Sequence, residues 1–186
     1  MSYCKAIENM TGDRKALHKR YHDQFYGFPI HDDNELFGRL VMEIFQAGLS
    51  WETILKKEKG FRLAFDNFQI EKVAAYDEHE FDRLVNDASI IRNRLKINAA
   101  ISNAGAILQL QKNHGSFRAW LEHNSPKPKE EWVKLFKKTF KFTGGEIVNE
   151  FLMSTGHLPG AHEERCAIYQ HIVAAEPVWL MKNKNH

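Results

Sequence analysis

The stretch NELFGRLVMEIFQAGLSW, residues 34–51, decides the fold. Leu36, Phe37, Leu40, Val41, Ile44 and Ala47 recur at helical spacing, which predicts a helix over 34–47. Asp32 or Asp33 can cap its start, and Gly48 ends it. Ser50 can cap a second helix that begins at Trp51. At about 100° per residue, Glu43 falls within roughly 60° of Leu36, Leu40 and Ala47. The glutamate therefore sits at the edge of the apolar stripe. A carboxylate there needs either a partner or a cavity. A structural network that holds a partly buried acid is the plainer of the two explanations.

Working outward, the same helical spacing recurs almost throughout. A helix is predicted over 13–24, followed by a loop in YGFPIHDD. WETILKKEKGFRLAFDNF reads as a helix broken near Gly60, and EKVAAY as a short helical turn. EHEFDRLVND, RLKINAAISNAGAILQLQKN and GSFRAWLEHN follow as helices. SPKPKEE reads as a linker, since two prolines lie among alternating charges. KEEWVKLFKKTFKF is helical, and TGGEIVNEFLMSTG reads as the last core helix, stopped by Gly156. The tail WLMKNKNH is expected to fray. No alternating run is long enough for a sheet, so the class is all-α.

The chain has 186 residues, which suits one domain. Hydrophobic residues make up 43%, enough for a core. No apolar run approaches the roughly 18 residues of a membrane span. The start MSYCKAIENM shows no apolar signal segment, which points to the cytoplasm. The net charge of +2 excludes little by itself. Local excess says more: Arg92, Arg94 and Lys96 stand together without an acid, and residues 112–142 carry eight Lys or Arg against three Glu. Such patches attract a polyanion or simply face solvent.

The two cysteines, Cys4 and Cys166, lie near opposite ends. In HEERC, His162 precedes Cys166 by four residues, so on a helical turn both would face one ion. Cys4 with His18 or His22 would complete four ligands, the number zinc takes in closed structural sites. Such a site would pin one terminus to the other.

Several segments together resemble the 3-methyladenine DNA glycosylase I family of the helix-hairpin-helix glycosylase superfamily. They are YHDQFYGFP, EIFQAGLSWETILKK, DASIIRNRLKINAAISNA and FKFTGGEIVNEFLMSTG with HEERC. The resemblance spans Cys4 to Cys166. It implies two helical lobes, one of about residues 34–112 with a hairpin near 89–95, the other of about 1–33 plus 113–186. It places structural zinc on Cys4, His22, His162 and Cys166. It puts the base-recognising, catalytic glutamate at Glu43 and base-stacking aromatics at Tyr21 and Trp51. A flipped, cationic purine would then sit between the two rings, facing the acid. The hairpin, with Ser89, Arg92, Arg94 and Lys96, would hold the DNA backbone.

The implied activity is hydrolysis of the N-glycosidic bond of alkylated adenine in double-stranded DNA, by a monomer without membrane attachment. The sequence departs from the family pattern at Ser89 and Leu95, where glycines are usual, and at Gly145, Glu146 and Asn149. His18, Tyr26 and Phe45 differ as well. These departures motivate an alternative, a DNA-binding or damage-sensing relative that no longer excises. A hydrolase with catalytic zinc is disfavoured, because four protein ligands leave no position for water.

Overall fold

A computed structural model describes residues 2–181. Twelve α-helices and one 3-10 turn make up the regular structure of the described residues, and no strand occurs among them. The helices are α1 (Tyr3–Glu8), α2 (Gly12–Gln24), α3 (Asp33–Gln46), α4 (Trp51–Ala64), α5 (Ile70–Ala74), α6 (Glu78–Asn86), α7 (Arg94–His114), α8 (Phe117–Asn124), α9 (Lys129–Thr139), α10 (Gly145–Ser154), α11 (Tyr169–Ala174) and α12 (Val178–Met181). The 3-10 turn spans Asp66–Phe68.

Helix α3 is the axis of the molecule. Every residue from Leu36 to Phe45 is buried. Helices α4, α5, α7, α8 and α10 all pack on it. The apolar stripe expected from its sequence is thus a fully wrapped rod, and Glu43 is not at an edge but inside. One continuous apolar core extends from Leu36 through Phe61, Ile97, Trp120 and Trp132 to Leu152. A smaller cluster of Tyr21, Tyr26, Leu55 and Ala161 lies beside it.

The caps explain how α3 is set. Asp32 accepts from the Glu35 amide at 3.0 Å. Its neighbour Asp33 turns away and caps α8 instead, accepting from the Phe117 and Arg118 amides at 2.7 and 2.9 Å. Gly48, with φ of 81°, ends the helix in a conformation costly for other residues. Ser50 then caps α4 through the Thr53 amide.

Gly60 does not break α4, which runs unbroken from Trp51 to Ala64. A Cβ there would lie 2.4 Å from the Ser89 carbonyl oxygen. The glycine is a packing residue that lets the turn after α6 approach α4. Two short helices, α11 and α12, follow where no further core helix was expected. Of the tail expected to fray, residues 179–181 are helical and residues 182–186 lie outside the described residues.

Candidate functional site

Glu43 lines a cavity of about 430 Å³ together with Tyr3, Tyr21, Tyr26, Gln46, Trp51 and Glu150. Helices α1, α2, α3, α4 and α10 each send at least one of these side chains into it. Glu43 is 4% exposed. Burial pushes its carboxyl up to about 8, against the opposing pull of Arg39 and with a further push from Glu150. Near neutral pH the group is therefore poised between acid and carboxylate. An entering cation would draw it toward the charged form.

Tyr21 and Trp51 stand together, as the sequence suggested, but not as the two sides of a slot. Their ring centroids are 5.0 Å apart and the planes are inclined by 55°. A base between two rings requires about 7 Å, two stacking distances. The rings are in contact and form one bent wall, so a base would lie against that wall rather than inside it. Tyr21 also packs at 5.7 Å from Tyr26 and 6.2 Å from Tyr3.

Arg39 was not singled out from sequence. It sits one turn before Glu43 and is 5% exposed. Its Nη1 donates to the Tyr21 hydroxyl at 2.9 Å and to the Ser154 carbonyl at 3.4 Å. The spacing of four residues, which puts Arg39 and Glu43 on one side of α3, was the available signal.

Tyr26 and Glu150 add a second polar arm. The Tyr26 hydroxyl donates to Glu150 Oε2 at 3.2 Å. Glu150 follows the TGGEIVN segment on α10 and brings a second acid to this cavity, one that the sequence reading did not single out. The preceding turn is held to α7 by Asn103, which donates to the Lys141 carbonyl at 3.1 Å and accepts from the Lys141 amide at 2.7 Å.

Cys4, His22, His162 and Cys166 converge, with their ligand atoms all within 4.8 Å of one another. Of the two histidines left open by spacing, His22 joins the group, while His18 Nδ1 pairs with the Tyr3 hydroxyl at 2.8 Å. The sulfur-to-nitrogen separations are 3.4, 3.8, 3.8 and 3.5 Å. A tetrahedron with Zn–S of about 2.3 Å and Zn–N of about 2.0–2.1 Å has S-to-N edges of about 3.5 Å. The unused ring nitrogens are also engaged. His162 Nε2 donates to the Tyr26 carbonyl at 2.8 Å, and His22 Nδ1 donates to Asp23 Oδ1 at 2.7 Å. Both tautomers then leave the inward nitrogen free to coordinate. The four residues therefore fit a tetrahedral metal ion. The HEERC segment is an irregular turn rather than a helical one, closed by the Cys166 amide donating to the Glu163 carbonyl at 2.8 Å.

Between α6 and α7 lies a turn of residues 87–93. The Ser89 amide donates to Asp87 Oδ1 at 2.7 Å, and Asn93 caps α7 by accepting from the Lys96 amide. Ser89, Arg92 and Arg94 are exposed. Arg94 lies 4.7 Å over the Phe81 ring. Lys96 departs from expectation. It is 5% exposed, and its ammonium donates to the Phe45 and Ala47 carbonyls at 3.0 and 2.6 Å. The side chain closes the C-terminus of α3, where the helix carbonyls lack partners, instead of facing a phosphate.

Residues 11–134 match the family described as methyladenine glycosylase. The DNA-3-methyladenine glycosylase 1 of Escherichia coli (strain K12) is 37% identical over 172 residues, covering 82% of this chain and 91% of that protein. The fold resembles the 3-methyladenine DNA glycosylase I of Staphylococcus aureus, at a TM-score of 0.80 and 29% identity, over 91% of this chain and 98% of the other. A tyrosine-to-phenylalanine variant of a 3-methyladenine DNA glycosylase I in complex with 3-methyladenine superposes with a TM-score of 0.79 at 29% identity, over 91% and 98% of the two chains.

Proposed function

The chain belongs to the methyladenine glycosylase family, and on that footing we propose that it excises 3-methyladenine from DNA in base-excision repair. The observation that carries this reading is the desolvated Glu43 carboxyl in a cavity walled by Tyr21 and Trp51. A base alkylated in this way is cationic while attached to the sugar and neutral once released. Its glycosidic bond is weak, so no strong acid is needed to protonate the leaving group. The protein has to select the cation, keep bulk water from the base and admit one water to the sugar carbon.

Aromatic faces contribute about 0.5–2 kcal/mol toward a cation. A charge-assisted hydrogen bond from the base's amino group to Glu43 contributes about 1.5–3 kcal/mol. Normal adenine is uncharged and gains neither in full, yet extracting it from the stack costs a few kcal/mol. Glu43 acts in recognition and electrostatic stabilisation, with the base lying against the Tyr21–Trp51 wall.

Ser89 and the turn of residues 87–93 meet a phosphate of double-stranded DNA, with Arg92 and Arg94 adding charge. The two-lobe division, about 34–112 against the flanking segments, would put this turn and the cavity along one DNA-facing side. Zinc on Cys4, His22, His162 and Cys166 is structural: it ties α1 and α2 to the C-terminal segment and fixes Tyr26 through His162. Among the described residues no helix is long and apolar enough to cross a membrane. A monomer in the cytoplasm suits this activity.

Methylated duplex DNA, incubated with wild type and with Glu43→Gln, tests the proposal. Release of free 3-methyladenine by wild type, slowed at least about 10-fold in the variant, is expected. Tight binding without release would favour the damage-sensing alternative.

A further inference from the structure

The cavity holds two carboxylates at different depths. Glu43, on α3, is 4% exposed and forms part of the interior. Glu150, on α10, is only half buried and lines the same cavity. A flipped nucleotide enters base first, while its sugar stays tethered to the strand. The base therefore reaches Glu43, and the glycosidic carbon stops nearer the opening. We propose that Glu150 is the carboxylate facing that carbon, where it accepts the proton of the attacking water. The proposal rests on the glycosylase reading above and supplies the general base that reading lacks.

In the step, the bond between the sugar carbon and the base nitrogen breaks, and its electron pair neutralises the cationic base. Water oxygen bonds to the sugar carbon. The water's proton passes to Glu150 and from there to solvent. The Tyr26 hydroxyl donates to Glu150 Oε2 at 3.2 Å and holds the carboxylate at the cavity wall. Partial burial raises the proton affinity of Glu150, and Glu146 adds to this. Its bonds from Tyr26 and Asn149 and the Lys129 charge oppose the rise. Across the cavity the facing titratable groups are Glu43, Tyr3 and Tyr21. The outcome is a stronger base than an exposed carboxylate.

Single-turnover excision from methylated duplex DNA across a pH series tests this, using wild type, Glu150→Gln and Glu146→Gln. Glu146, 86% exposed on the same helix and paired with Lys129, is the control. Glu150→Gln is expected to excise at least about 100-fold more slowly and to lose the acid limb of the rate profile. It should bind free 3-methyladenine within about twofold of wild type, which also shows that it folds. Excision by Glu150→Gln within about threefold of wild type, with the acid limb retained, overturns the proposal. A parallel loss of free-base binding also overturns it, since Glu150 would then act through Tyr26 on the cavity wall. If wild type itself releases no base, the glycosylase reading fails, and the Glu150 role falls with it.

Discussion

The Arg39 guanidinium lies 5.0 Å from the centre of the Tyr21 ring and donates to that residue's hydroxyl at 2.9 Å. One cation thus fixes the ring that walls the cavity and also pulls down the proton affinity of Glu43. Arg39→Met removes both effects. The Glu43 titration midpoint should rise above about 8, whereas Arg39→Lys, which keeps the charge, should leave it near wild type. Carboxyl NMR of isotopically labelled protein reads this directly. Equal midpoints in wild type and Arg39→Met would mean that Arg39 is electrostatically silent at Glu43.

Glu43 should also make stability depend on pH. Its folded-state value of about 8 exceeds the ordinary 4.5. The native state then binds more protons than the unfolded state between those values, and stability falls as pH rises through that window. A glutamine does not titrate. Glu43→Gln should match wild type in melting temperature near pH 4.5 and exceed it at pH 8.5. The shift from 4.5 to about 8, at about 1.4 kcal/mol per pH unit and about 2–4 °C per kcal/mol, predicts a gain of roughly 10 °C or more at the higher pH. Circular dichroism melts at the two pH values check it, and a gap that does not widen with pH contradicts the burial argument. The same variant is expected to excise more slowly, so stability and function should pull in opposite directions at this residue.

Glu43 stood out in its own stretch, because an acid in an apolar helical run is a physical anomaly whatever surrounds it, whereas nothing in the sequence marked Tyr3 or Glu150, which α1 and α10 bring to the same cavity. The four metal-ligand candidates were legible too, but only after the family resemblance chose His22 over His18. Spacing could not make that choice, since both lie on α2 and the difference is which one faces Cys4. Arg39 escaped because a lone arginine in a helix usually reaches solvent. Its burial follows from Tyr21 on α2 and Ser154 on α10, which receive its guanidinium and which no helical wheel records. The supposed break at Gly60 failed for the same reason: its cause is Ser89, distant in sequence and near in space.

Removal of the metal should loosen both ends of the chain at once. Cys4 is on α1, His22 on α2, and His162 and Cys166 lie in the segment before α11. Loss of a structural metal belongs with the largest single-site effects, above about 4 kcal/mol, which corresponds to a melting temperature lower by roughly 10 °C or more. A strong chelator or Cys166→Ser should produce this fall. Elemental analysis should find close to one zinc per untreated chain. A purified protein without zinc that melts as high as one loaded with it would show that the four side chains pack without coordinating.

Lys96 and the two arginines before it should separate stability from DNA binding. The Lys96 ammonium is committed to the Phe45 and Ala47 carbonyls at the end of α3, next to Gly48 and the start of the Trp51 helix. Lys96→Met leaves both carbonyls without that donor and should cost about 2 kcal/mol, the scale of one charge-assisted bond. It should leave the salt dependence of DNA binding unchanged, because the charge does not face the phosphates. Arg92→Ala and Arg94→Ala should do the reverse: little effect on melting, but weaker binding with a shallower salt slope, by about one unit for each phosphate no longer neutralised. Thermal melts alongside binding titrations at several salt concentrations measure both quantities. A reduced salt slope in Lys96→Met would show that the ammonium leaves α3 to engage DNA, making this lysine part of the DNA grip after all.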